Sequence, residues 1–134
     1  MPVNFVIDTS AILAVLLDEP EKQAVVEATA GSVVCAPASL RWAVGNAATA
    51  GVKRHRLTTE RARQLVSDFE QVRIRELAID ILRAVDLGLE LGIYAYDAYI
   101  LEAARSSRFP LLALDGPIRR NAEKLGLSLV ELDL

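Results

Sequence analysis

Short apolar runs alternate with amphipathic stretches along the chain. Val3–Ile7 is continuously apolar apart from Asn4 and rich in β-branched and aromatic residues, which predicts a buried strand. It stops at Asp8. Thr9 or Ser10 can then cap a helix through the apolar run Ala11–Leu17, before Asp18-Glu19-Pro20. Glu21–Ala30 suits a helix stopped by Gly31, and Ser32–Ala36 reads as a second buried strand. Pro37-Ala38-Ser39 opens a helix with one apolar stripe, Leu40, Val44, Ala47, Ala48 and Gly51. Thr58-Thr59-Glu60 starts another, with Ala62, Leu65, Val66 and Phe69 on one face. Val72–Arg75 alternates as a half-wet strand would. A helix from about Ala78 aligns Ala78, Ile81, Leu82, Val85 and Leu89 as its inward face, with Gly88 and Gly92 marking its end. Tyr94–Asp97 begins the next helix, in which Tyr96, Tyr99, Ile100, Ala103, Ala104 and Ser107 share a face. Beyond Pro110, Leu111–Leu114 reads as a strand ending at Asp115. Gly116-Pro117-Ile118 then enters a helix closed by Gly126, and Ser128–Leu132 reads as a last strand.

Strands alternating with helices predict an α/β fold: a mostly parallel sheet, helices on both faces, right-handed crossovers. A chain of 134 residues fits one domain with a sizeable core. The only cysteine, Cys35, lies in an apolar run and reads as a buried thiol, in keeping with a reducing compartment. The Ala11–Leu17 run is too short to span a membrane and lacks the basic flank of a signal peptide, so a soluble, cytoplasmic protein is expected.

The net charge of −3 leaves any nucleic-acid contact to a local patch. Aromatics make up only 5%, which argues against a stacking platform for single strands. Lys53-Arg54-His55-Arg56 is such a patch, readable as a solvated helix end or as a phosphate contact. His55 has no second His or Cys at ligand spacing. Neither a Gly-x-Gly-x-x-Gly nor a Walker pattern is present.

The chemistry lies in the carboxylates. Asp8 and Asp115 each follow a strand and precede a helix, and Asp97 sits in the first turn of the helix before the strand leading to Asp115. Strand carboxyl ends share one edge of a parallel sheet, so all three can meet in one crevice. Clustered carboxylates raise one another's pKa, and a hard divalent cation such as Mg²⁺ relieves the conflict. Such an ion suits phosphodiester hydrolysis. Three independent helix caps explain the same pattern, and spacing alone leaves both readings open.

Four stretches carry a resemblance over nearly the whole chain: Val6-Ile7-Asp8-Thr9-Ser10-Ala11, Leu40-Arg41-Trp42-Ala43-Val44-Gly45-Asn46-Ala47, Tyr96-Asp97-Ala98-Tyr99-Ile100-Leu101 and Leu111-Leu112-Ala113-Leu114-Asp115. In that order and spacing the chain resembles the PIN-domain ribonucleases, specifically the VapC-type toxins of bacterial toxin–antitoxin pairs. The resemblance implies a single three-layer PIN-like domain over residues 1–134. It implies an endoribonuclease that holds Mg²⁺ or Mn²⁺, a homodimer, and a cognate antitoxin covering the active-site groove. Asp8 and Asp97 would be metal ligands, and Asp115 a ligand or the holder of a metal-bound water. Ser10, Arg41, Lys53, Arg54, Arg56, Arg119 and Arg120 are candidate substrate contacts. The chain departs from the family pattern at Ala43, where a Glu is expected, and at Ala113, where Thr or Ser is common. Ala43 implies weaker metal binding and slow or absent cleavage. The competing reading is a PIN-fold module that binds RNA or a protein without catalysis. A phosphotransfer enzyme with an Asp nucleophile ranks lower, since Asp8-Thr9-Ser10 lacks a second Asp two residues on.

Overall fold

The structure, a computed structural model, describes residues 3–134. Four parallel strands form one sheet in the order β3-β2-β1-β4. They are β1 (Asn4–Ile7), β2 (Val33–Ala36), β3 (Arg75–Glu76) and β4 (Leu111–Leu112). Helices α1 (Thr9–Leu16) and α2 (Lys22–Thr29) join β1 to β2. Helices α3 (Ser39–Lys53) and α4 (Thr59–Gln71) join β2 to β3. Helices α5 (Ile81–Leu91) and α6 (Ala95–Ser107) lead to β4, and α7 (Gly116–Lys124) follows it.

Side chains alternate across a strand, so β1 and β4 feed two cores. Phe5, Ile7 and Leu112 pack with Ile12, Val25, Leu40, Val44, Leu65 and Phe69 from the first four helices. Val6, Leu111 and Ala113 pack with Leu87, Leu101, Ile118 and Ala122 from the last three. This is the three-layer α/β architecture expected from the pattern. Helix α6 is buried almost all round, at Ala98, Ile100, Leu101, Glu102, Ala103 and Ala104. The buried Glu102 carboxylate is paired with Arg105, one turn along the helix.

Three expectations need correction. The strand expected at Val72–Arg75 forms at Arg75–Glu76, because α4 runs on to Gln71 and the chain needs the next three residues to reach β2. The last strand shrinks to a single bridge from Leu129 to Leu111. The third correction is the largest. Helix α5 starts at Ile81, and the face expected to be buried looks outward, with Ile81, Leu82, Val85 and Leu89 exposed. Ala84, Leu87 and Gly88 are buried instead. Gly88 lies inside the helix rather than at its end: a Cβ there would sit 3.3 Å from the Ala98 Cβ, so the glycine lets α5 lie close against α6. Gly92 does end the helix, in the left-handed conformation at φ +68.

Candidate active site

The strand order locates the crevice. From β1 the chain builds outward through β2 and β3, then returns to place β4 on the other side of β1. The gap at the carboxyl ends of β1 and β4 is the switch point where open α/β sheets bind ligands. Asp8 follows β1 there, and Asp115 follows β4. The Asp8 backbone N–H donates to the Leu112 carbonyl at 3.0 Å, which fixes the two strand ends in register.

Both acids also cap helices. Asp8 Oδ1 accepts from the Ala11 N–H at 2.8 Å at the start of α1, and Asp115 Oδ2 accepts from the Ile118 N–H at 3.0 Å at the start of α7. Capping and membership of a cluster are therefore compatible, because a carboxylate has lone pairs to spare for both. Ser10 ties the corner together. Its hydroxyl donates to the Asp8 carboxylate, 2.7 Å from the nearer oxygen, and accepts the backbone N–H groups of Leu114 and Asp115, each at 3.1 Å. One side chain thus joins the first strand to the last. The Asp-x-Ser spacing gave a hint, since a serine can bond back two residues. Its bonds to positions 114 and 115 carried no local signal.

Asp97 completes the set, half-buried in the first turn of α6. Burial pushes the Asp8 carboxyl up to about 6. The Ser10 hydroxyl and the Ala11 N–H pull it down, while Asp115 and Asp97 push it further up. The Asp97 carboxyl is raised too, by burial and then by Asp115. The three acids therefore feel one another's charge.

The remaining candidates scatter. Ser10 has its hydroxyl engaged within the protein. Arg119 donates to the Ala113 carbonyl at 2.9 Å, which holds the end of β4. Arg120 is exposed and reaches back over Gly116, next to Asp115. Arg41 lines a recess of about 100 Å³ with Pro37, Phe69, Glu70 and Glu76. Lys53, Arg54 and Arg56 sit at the far end of α3, away from the carboxylates. Ala43 lies in the early part of α3, partly exposed and without charge.

The sequence matches the PIN domain family model over residues 5–124. The chain belongs to the PIN domain family. PIN domains are generally nucleases. This PIN domain is similar in structure to PAE2754 from Pyrobaculum aerophilum, with a TM-score of 0.69 and 19% identity, over 96% of this chain and 84% of that one. It is also similar to a chain of VapBC2 from Rickettsia felis bound to a DNA fragment from their promoter. There the TM-score is 0.68 and the identity 13%, over 98% of this chain and 100% of that one. No curated protein sequence matches it.

The donors of this PIN domain suit a hard divalent cation in kind: carboxylate oxygens, two of them raised by burial and by mutual repulsion. They form an open set rather than a closed cage. Among the described residues no three acidic, histidine or cysteine side chains stand close enough to enclose a metal on their own. Magnesium keeps several waters, so an open set of few carboxylates is within its habits.

Proposed function

We propose that this PIN domain, occupying the whole chain, is a Mg²⁺- or Mn²⁺-dependent endoribonuclease of the VapC toxin type. It would hydrolyse RNA phosphodiesters in the cytoplasm and be neutralised by a cognate antitoxin. The observation that supports the reading is Asp8 and Asp115 at the carboxyl ends of β1 and β4, with the Asp8 and Asp97 carboxyls raised by burial and then by the neighbouring acids. Asp8 and Asp97 would hold the cation, with Asp115 beside them. The ion would supply positive charge against the phosphodiester and lower the pKa of water. Asp115 would add a third ligand or hold a water beside the cation. Ser10 would keep Asp8 and Asp115 in position throughout. Arg119, bonded to the Ala113 carbonyl, and Arg120, beside Gly116, lie next to Asp115 and would meet an RNA phosphate there, with Arg41 as a further contact. Lys53, Arg54 and Arg56 would serve only a more distant stretch of RNA.

The partner reading has support of its own. The likeness in structure to VapBC2, together with the resemblance to VapC-type toxins, supports an antitoxin partner here. The outward face of α5 supports a homodimer. Ile81, Leu82 and Leu89 are 65%, 66% and 77% exposed, an apolar face that a second copy would cover. None of the described helices is long and apolar enough to cross a membrane.

Ala43 favours a second reading, in which the groove binds RNA or protein without cutting. Cleavage of RNA with Mg²⁺ or Mn²⁺, before and after Ala43→Glu, separates the two. The added carboxylate should raise activity by roughly 10-fold or more if it supports the metal. Equal activity in both proteins sinks the idea that Ala43 limits the site. No metal response in either leaves the binding module standing.

A further inference from the structure

Tyr94 breaks two local rules at once. It occupies the N-cap of α6, where Ser, Thr, Asp or Asn would satisfy a free backbone N–H, and its side chain makes no cap hydrogen bond. It is also 89% exposed, so the ring packs into no core. Asp8, Thr58, Asp80 and Asp115 cap α1, α4, α5 and α7 with their side chains, whereas Glu21 and Ala38 at α2 and α3 make no such bond either; Tyr94 differs from these two in exposing a large aromatic ring. A residue that contributes neither a cap nor burial points to contact with something else.

Its position says what that contact is near. Tyr94 lies three residues before Asp97, so the two share a side of the helix one turn apart. Tyr96, immediately before Asp97, is 46% exposed, and its ring is braced edge-on by Tyr99 at 6.3 Å and 87°. Tyr94 is thus an exposed ring one helical turn from a partly exposed carboxylate of the site. Phe5 and Phe69, by contrast, are in the core. The low aromatic content disfavours an extended platform, yet placement gives this edge what a single base needs.

We propose that Tyr94 is a specificity-determining residue that stacks on an unpaired nucleobase beside the scissile phosphodiester. This rests on the ribonuclease reading. A base can reach an exposed ring only when it is free of a duplex, so the stack selects single-stranded RNA and tolerates any base, since every base has a π-face.

The test is binding of a labelled single-stranded oligoribonucleotide by fluorescence anisotropy with Mg²⁺, for wild type, Tyr94→Ser and Tyr94→Phe. Serine removes the ring and restores a good cap, so a purely structural role and a stacking role move in opposite directions. Tyr94→Ser should melt at the same temperature or higher, while binding RNA about 5- to 100-fold more weakly. Tyr94→Phe should stay within about twofold of wild type. An abasic nucleotide at the stacked position should weaken wild type by the same factor as Tyr94→Ser and leave the variant unaffected. Wild-type affinity in Tyr94→Ser overturns the proposal, and so does unchanged RNA binding together with a dimer that falls apart in sedimentation, which would assign the ring to a protein interface. If wild type binds no RNA at all, the ribonuclease reading falls and takes the stack with it.

Discussion

The two sides of the carboxylate crevice are built differently. On the β1–β4 side every group is tied: Asp8 is buried, capped and hydrogen-bonded, Ser10 bonds both strands' ends, and Arg119 holds the carbonyl of Ala113. On the α3 side nothing is tied to the carboxylates: Ala43 carries no charge, Trp42 is exposed, and Arg41 lines a separate recess. The difference separates two tasks. A fixed wall holds negative charge in one place without reorganisation, which is where electrostatic catalysis gains most. An open wall admits a polymer. Losing an acid from the open wall leaves the fold intact, whereas losing one from the fixed wall disturbs packing and chemistry together.

Four experiments strain that contrast, the greatest effect first. Asp115→Asn keeps the cap acceptor and removes the charge, so cleavage should fall by about 1,000-fold with little change in melting temperature. Loss of the fold instead would mean that the fixed wall is structural only. The second uses pH. Asp8 has a folded value of about 6 against an ordinary 3.8, so the folded state holds the proton more tightly than the unfolded chain. Metal-free protein should be most stable below about pH 4 from this group and lose roughly 3 kcal/mol as pH rises through 6. Asp97 adds to the same slope. Melting curves in chelator from pH 4 to 8 should show this slope in wild type and a flatter one in Asp8→Asn. Third, Ser10→Ala unties the strand ends and should cost about 10- to 100-fold in activity or metal affinity, measured by cleavage and by Mn²⁺ titration. Last, replacing Lys53, Arg54 and Arg56 together with Ala should change cleavage of a short RNA by less than about threefold. Lys53 lies roughly 15 Å along α3 from Ala43, beyond one screening length at physiological salt. A larger drop would extend the RNA path down α3.

Much of this was legible in the chain because its signals are local. Val3–Ile7 and Leu111–Leu114 announce buried parallel strands, and a carboxylate after each announces the edge. What was illegible depends on contacts far apart in sequence. The apolar stripe of α5 is real, but periodicity says only that a helix has an apolar face, not that this chain covers it. Tertiary packing placed Ala84, Leu87 and Gly88 inward, and at Gly88 the close approach of Ala98 on α6 leaves no room for a side chain. Ser10 could be read as a cap, while its bonds to Leu114 and Asp115 needed the folded chain. The basic cluster was visible as charge, but its distance from the acids was not. Counting aromatics hid that Tyr94, one turn before Asp97, is left exposed.

The stitch made by Ser10 also sets when the crevice can come into being. A growing chain that has released β1, α1 and even α6 holds Asp8 and Asp97 but has no β4 for Asp8 to bond and no Leu114 or Asp115 amide for Ser10 to accept. The acidic corner therefore closes only after residue 115 leaves the ribosome and docks. Until then a nascent chain carries two of its three carboxylates and none of the order that makes them a site.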